Sequence, residues 1–133
     1  MKHLIIFLFT TFSLSVFAQE IVKETWTCKN NSMSFTAVVT EISVENKLDS
    51  AYQWEHVSLE LEAGKAPLDG KSFELKGEFF QGYDSFLYEA TLVRSETDPS
   101  KGKLTLITDM FIDCRGQAVE TDIVSCTIVS QKN

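Results

Sequence analysis

The chain has 133 residues, a net charge of −7 from 19 acidic and 12 basic residues, and a hydrophobic share of 44%. That length suits one domain with its own core. The acidic balance argues against a phosphate backbone as ligand, so no nucleic acid partner is expected, and it equally disfavours anionic membrane surfaces.

Residues 1–18, MKHLIIFLFTTFSLSVFA, read as a secretory signal peptide. Lys2 and His3 make a short basic start, Leu4 to Leu14 is an apolar run, and Val16-Phe17-Ala18 fits a cleavage site. The run is too short to favour a membrane span, and no cysteine follows it to carry a lipid. The expectation is an exported, periplasmic or extracellular chain with no stable membrane anchor. Residues 19–133 would then form a single domain. Loss of Lys2 would make it one unit more acidic than the full chain.

Beyond the leader the dominant pattern is period two, the mark of half-buried strands. Val22, Trp26 and Cys28 share one face, interrupted by Glu24. Met33, Phe35, Ala37 and Val39 follow; the phase then slips to Ile42 and Val44, as a β-bulge would produce. Val57, Leu59 and Leu61 alternate with polar residues, as do Phe73, Leu75 and Phe79, and then Phe86, Tyr88, Ala90 and Leu92. Leu104 and Leu106 open a run that continues less cleanly to Ile112, and residues 123–129 form the last.

The breaks carry turn chemistry. Asn30-Asn31 suits a two-residue hairpin in left-handed conformation, QGYD and CRGQ are tight turns, and NKLDSAY, AGKAPLDGK and ETDPSKGK read as longer loops. Pro67 and Pro99 fall in loops. The one short-helix candidate is LDSAYQWEH, residues 48–56. Seven or eight strands with one polar face each predict an all-β fold. The first expectation is a small antiparallel barrel, up-and-down or lipocalin-like, with a sandwich as second choice.

An oxidising compartment favours a disulfide among Cys28, Cys114 and Cys126. A hairpin turning at Gly116-Gln117 would set Cys114 opposite Val119 and Cys126 opposite Ile107, much too far apart to bond. Counting seven alternating strands puts Cys28 and Cys126 at one end, on adjoining first and last strands, and Cys114 at the other. The expected bond is Cys28–Cys126. Cys114 is left as a free thiol: a buried or semi-buried residue beside a turn, or a reactive thiol or a bridge to a second copy.

Little in the chain suggests catalysis. His56 is the only histidine beyond the leader, and neither a nucleophile motif nor zinc-ligand spacing accompanies it. Asp109, Asp113, Glu120 and Asp122 could gather near the last hairpin, where a hard cation would want oxygen ligands. They lack the calcium-loop spacing, and no metal or cofactor is expected. The segment FFQGYDSFLY, residues 79–88, is the most aromatic stretch after the leader. Of Phe79 and Phe80, one must face away from the core. Phe80, Tyr83 and Asp84 at this hairpin, with Tyr52 and Trp54 near the same end, make the candidate binding surface. Asn30-Asn31-Ser32 also matches a glycosylation acceptor pattern.

The first reading is therefore a non-enzymatic cell-envelope module that engages a protein partner, a basic one suiting its acidity, through a loop or hairpin end, as a monomer or as a dimer through Cys114. The stretch WTCKNNSMSFTAV with the C-terminal cysteine resembles the periplasmic inhibitors of c-type lysozyme. That family's Ser-Gly-containing loop signature is absent, so the resemblance implies no site residue. The alternative is a small-ligand carrier with a cavity lined by Trp26, Phe35, Phe73, Phe86 and Tyr88, although the Gly-x-Trp signature of lipocalins is missing.

Overall fold

The computed structural model describes residues 20–52, 55–64 and 68–133. The leader, Trp54 and Pro67 therefore lie outside the described residues. Nine strands form one antiparallel sheet: β1 (Ile21–Lys29), β2 (Met33–Thr40), β3 (Val44–Tyr52), β4 (Glu55–Leu59), β5 (Glu62–Ala63), β6 (Ser72–Gln81), β7 (Asp84–Arg94), β8 (Lys101–Ile112) and β9 (Gly116–Lys132). Their spatial order is β4-β3-β2-β1-β9-β8-β7-β6-β5. The expected antiparallel all-β fold is present, with nine strands where seven or eight were expected and with first and last strands adjacent.

The two edge strands are consecutive in sequence. Following the antiparallel pairings around the sheet, β4 and β5 run in the same direction, so Glu55–Ala63 is one strand that changes partner at Glu60–Leu61. The sheet curls into a half-barrel, and this crossing draws its edges together. Asn46 on β3 completes the seam: its amide donates to the Leu61 carbonyl at 2.7 Å and accepts the Leu61 N–H at 2.8 Å. Gly77 on β6 leaves room for Leu59 and Leu61, since a Cβ there would lie 2.5 Å from Leu61 Cδ2.

Alternation decides which side chains fill the interior. Trp26, Cys28, Phe35, Leu48, Leu75, Phe86, Leu92, Leu104, Leu106 and Met110 are among the side chains buried in a single core. The uneven run after Leu106 keeps its phase, because its inward members are Thr108 and Met110, one of them polar.

The turns and one strand differ from the sequence expectations. The phase slip after Val39 is a turn and not a bulge: Thr40 N–H donates to Ser43 O, and Ile42 is exposed at its tip. NKLDSAY is strand, not loop or helix; residues 48–52 end β3 and β4 resumes at Glu55. The first hairpin uses no left-handed asparagine. Asn30 Oδ1 instead accepts the N–H groups of Ser32 and Met33, both at 2.9 Å, so a side chain does the work of a special backbone conformation. The last hairpin turns at Asp113–Arg115, placing Cys126 opposite Gly102.

The missed β3 reverses every later strand relative to β1. Cys114 therefore lies at the same end as the Asn30 turn, and β9 runs antiparallel to β1. Cys28 and Cys126 are direct register partners, 4.2 Å apart at Cα, and form the disulfide. Glu24 does not interrupt an inward face. It belongs to that face, buried beside Trp26, while the bulge between Ile21 and Lys23 leaves Val22 exposed.

Candidate interaction surface

Gln81 pairs with Asp84, leaving Gly82-Tyr83 as a two-residue turn. Only Gly82 has a positive φ, 61°, the sign pattern of a type II′ turn, whose twist matches a hairpin. Parity then separates the adjacent phenylalanines. Phe79 faces inward, its ring 6.1 Å from that of Phe86, while Phe80 faces outward and is 65% exposed. Tyr83 at the tip is 84% exposed. Asp84 has a positioning role: its Oδ1 accepts the Asp113 N–H at 2.8 Å, holding the β8–β9 turn beside the β6–β7 turn. Strand direction brings the end of β3 to this end too. There the Tyr52 backbone pairs with Glu55, and Trp54 is outside the described residues.

The structure adds residues that the sequence reading missed. On the outward face of β7, β8 and β9, Leu87, Ile107, Phe111, Val119 and Ile123 are all exposed. In register, Leu87, Asp109 and Val119 form one row, with Ser85–Phe111–Gln117 on one side and Glu89–Ile107–Thr121 on the other. The apolar members are thus diagonal neighbours, about 7–8 Å apart, close enough for large side chains to form one surface. Phe80, opposite Ser85, extends it to the hairpin. The outward face of β2 and β3 offers a contrast, carrying Ser34, Thr36, Glu45, Lys47 and Asp49 around a single Val38. Contiguous apolar surface of this kind marks an interaction site more often than scattered single residues do.

One acidic group borders this surface and another lies within it. Glu78 is opposite Leu87, and Asp109 lies between Leu87 and Val119, where it accepts a hydrogen bond from Gln117 Nε2 at 2.9 Å. Lys76, the nearest β6 cation, stands 3.9 Å from Glu89. The acidic cluster considered from sequence does not assemble. Asp109 faces outward, Glu120 and Asp122 have the opposite parity, and Asp113 is in the turn; among the described residues no three His, Cys, Asp or Glu converge on a metal-sized site. His56 is solvent-facing on β4. Cys114 is exposed and free at the β8–β9 turn with a φ of 71°.

At the opposite end, Glu24 and Arg94 meet under the loop after β7. Arg94 also donates to the carbonyls of Gly70 and Pro99 and lies 5.4 Å over the Trp26 ring. The same end carries an open cleft of about 720 Å³ lined by residues 41–44 and 60–64. The five aromatics of the cavity reading are each at most 6% exposed, and four of them contact in pairs: Trp26 meets Phe73 edge-on at 5.3 Å, and Phe86 stacks with Tyr88 at 6.5 Å. Burial pushes the Tyr88 phenol up to about 12.

No family model matches the chain, and no curated protein or solved structure is significantly similar to it.

Proposed function

We propose that the chain is an exported, non-enzymatic binding module that engages a protein partner through the outward face of β6–β9. The observation that carries this reading is the continuous exposed apolar surface from Phe80 through Leu87, Phe111 and Ile107 to Val119 and Ile123. Its acidic groups, Glu78 at the edge and Asp109 within, in a chain of net charge −7, suit a partner that presents basic groups among apolar ones. The signal-like residues 1–18 support export, as does a disulfide, which persists in oxidising compartments. Mutual ring contacts among the interior aromatics favour surface recognition over carriage of a ligand inside.

The test is affinity capture from the chain's own host, comparing the native chain with Phe80→Asp, Phe111→Asp and Ile42→Asp. Ile42 is 93% exposed but belongs to the distant β2–β3 turn. A discrete partner should be lost with the first two variants and retained with the third. Retention by all three would overturn the reading.

A further inference from the structure

The β8–β9 hairpin outruns its neighbour on one side. β9 pairs with β8 along Gly116–Thr127, but β1 reaches only from Ile21↔Lys132 to Cys28↔Cys126. Beyond that point β1 turns back at Asn30. Among the described residues, no strand pairs with Gly116–Ser125 on the side away from β8. Residues 116–121 are exposed in both side-chain phases, so neither sheet face covers this segment.

The direction of the free backbone groups follows from alternation. Ile128 N–H points to the β8 side, donating to Ser100 O, and Asn133 N–H points to the β1 side, donating to Glu20 O. The β8–β9 register has no shift, so the groups of Val119, Thr121 and Ile123 point into the lane that β1 leaves. A row of unpaired N–H and C=O groups on an extended strand is a template for another strand.

We infer that the β9 edge at Val119–Ile123 is a strand-addition site for an extended segment of another protein, with basic residues in one phase and apolar residues in the other. The inference rests on the reading of the chain as a binding module. Charge selects the occupant. Glu120 and Asp122 share one phase of the edge. In the antiparallel pairings of β9 with a second copy that keep inward faces matched and overlap most of Val119–Ile123, these carboxylates fall opposite one another or opposite themselves, or lie within one diagonal step. Like charges directly opposite are destabilising. A partner strand with Lys or Arg in that phase turns the same carboxylates into attractive cross-strand pairs. In the other phase, β-branched or apolar residues would meet Val119, Thr121 and Ile123 and extend the outward apolar surface.

The probe is the peptide Thr-Lys-Val-Lys-Ile-Lys-Thr, capped at both ends, titrated into the isotope-labelled chain and read by amide hydrogen exchange. The Val119, Thr121 and Ile123 amides should exchange freely alone and slow by about tenfold or more on saturation. The same peptide with Glu for Lys should leave them unchanged. The chain carrying Glu120→Lys and Asp122→Lys should reverse that preference. Thr121→Pro removes an N–H from the free edge and none from the β8 ladder, so it should keep the native spectrum and lose the peptide.

Absence of binding at about 1 mM peptide would overturn the site, as would binding that protects amides elsewhere. Concentration-dependent protection of these amides without peptide would assign the edge to a second copy and also overturn it. If the peptide fails while Phe111→Asp still costs the captured partner, the edge falls and the surface reading stands. If Phe111→Asp and Phe80→Asp cost nothing, the surface reading itself falls.

Discussion

Arg94 and Glu24, 70 positions apart in sequence, form a buried ion pair that fastens one end of the barrel. Glu24 is 1% exposed, and its second oxygen accepts the Asp69 N–H at 2.7 Å. Arg94 spreads its remaining donors over Gly70 and Pro99 carbonyls and its face over Trp26. One side chain thereby holds two loops and the largest core aromatic. A buried pair adds modestly to stability as a unit, but removing one member strands the other charge away from water.

Arg94→Ala should therefore cost about 3–5 kcal/mol in chemical denaturation. The double variant with Glu24→Ala should cost clearly less than the two single losses combined. Additive losses would show that the two residues act independently.

Asn46 should matter through backbone groups that are not its own. Asn46→Leu keeps the bulk but leaves the Leu61 N–H and C=O without partners at the seam, which should cost about 1–3 kcal/mol. The Leu61 amide should exchange faster than other core amides of the variant. Unchanged protection at Leu61 would mean the seam closes without this side chain.

Cys114 holds a left-handed backbone conformation that favours glycine. Cys114→Gly should raise stability by about 0.5–1 kcal/mol, because the left-handed region costs a residue with a Cβ about 1–2 kcal/mol and the greater freedom of an unfolded glycine takes back part of that. Equilibrium denaturation under conditions where the thiol stays monomeric checks this. A loss of stability would mean the side chain contributes more than its backbone costs.

Asp98 organises the β7–β8 loop. Hydrogen bonds from the Ser100 hydroxyl and N–H, 2.6 and 3.0 Å long, hold its carboxyl below the usual carboxylate range, with Lys101 assisting. A depressed carboxylate contributes stability that is present above its unfolded value of 3.8 and lost as pH falls through the lower folded value. The Ser100 amide resonance should follow that titration with a midpoint below 3.8. A midpoint at or above it would remove the capping role.

Much of this fold was legible in the alternation of apolar residues, because a strand with one buried face must show it. The Cys28–Cys126 bond followed from placing the first and last strands together, although a count of seven strands sets them parallel where they are antiparallel. Strand β3 was hidden because Asn46, Asp49 and Ser50 give it a polar sequence; one of its inward positions is Asn46, whose value lies in the Leu61 backbone across the seam. Glu24 looked like an interruption because its partner is 70 residues away. Of the candidate surface, Phe80 and Tyr83 could be read from the turn and from the parity of Phe79-Phe80. Leu87, Ile107, Phe111, Val119 and Ile123 could not be joined without the register. Their one sequence signal is an apolar residue in the phase opposite to an already apolar face.

The most direct measurement places a photo-crosslinking amino acid at position 111 of the chain in its own host, with the same residue at position 42 as control. The account predicts a discrete adduct from position 111, formed with one protein partner, and none from position 42. Equal labelling at both positions, or none at 111, would contradict the assignment of the β6–β9 outward face as the working surface.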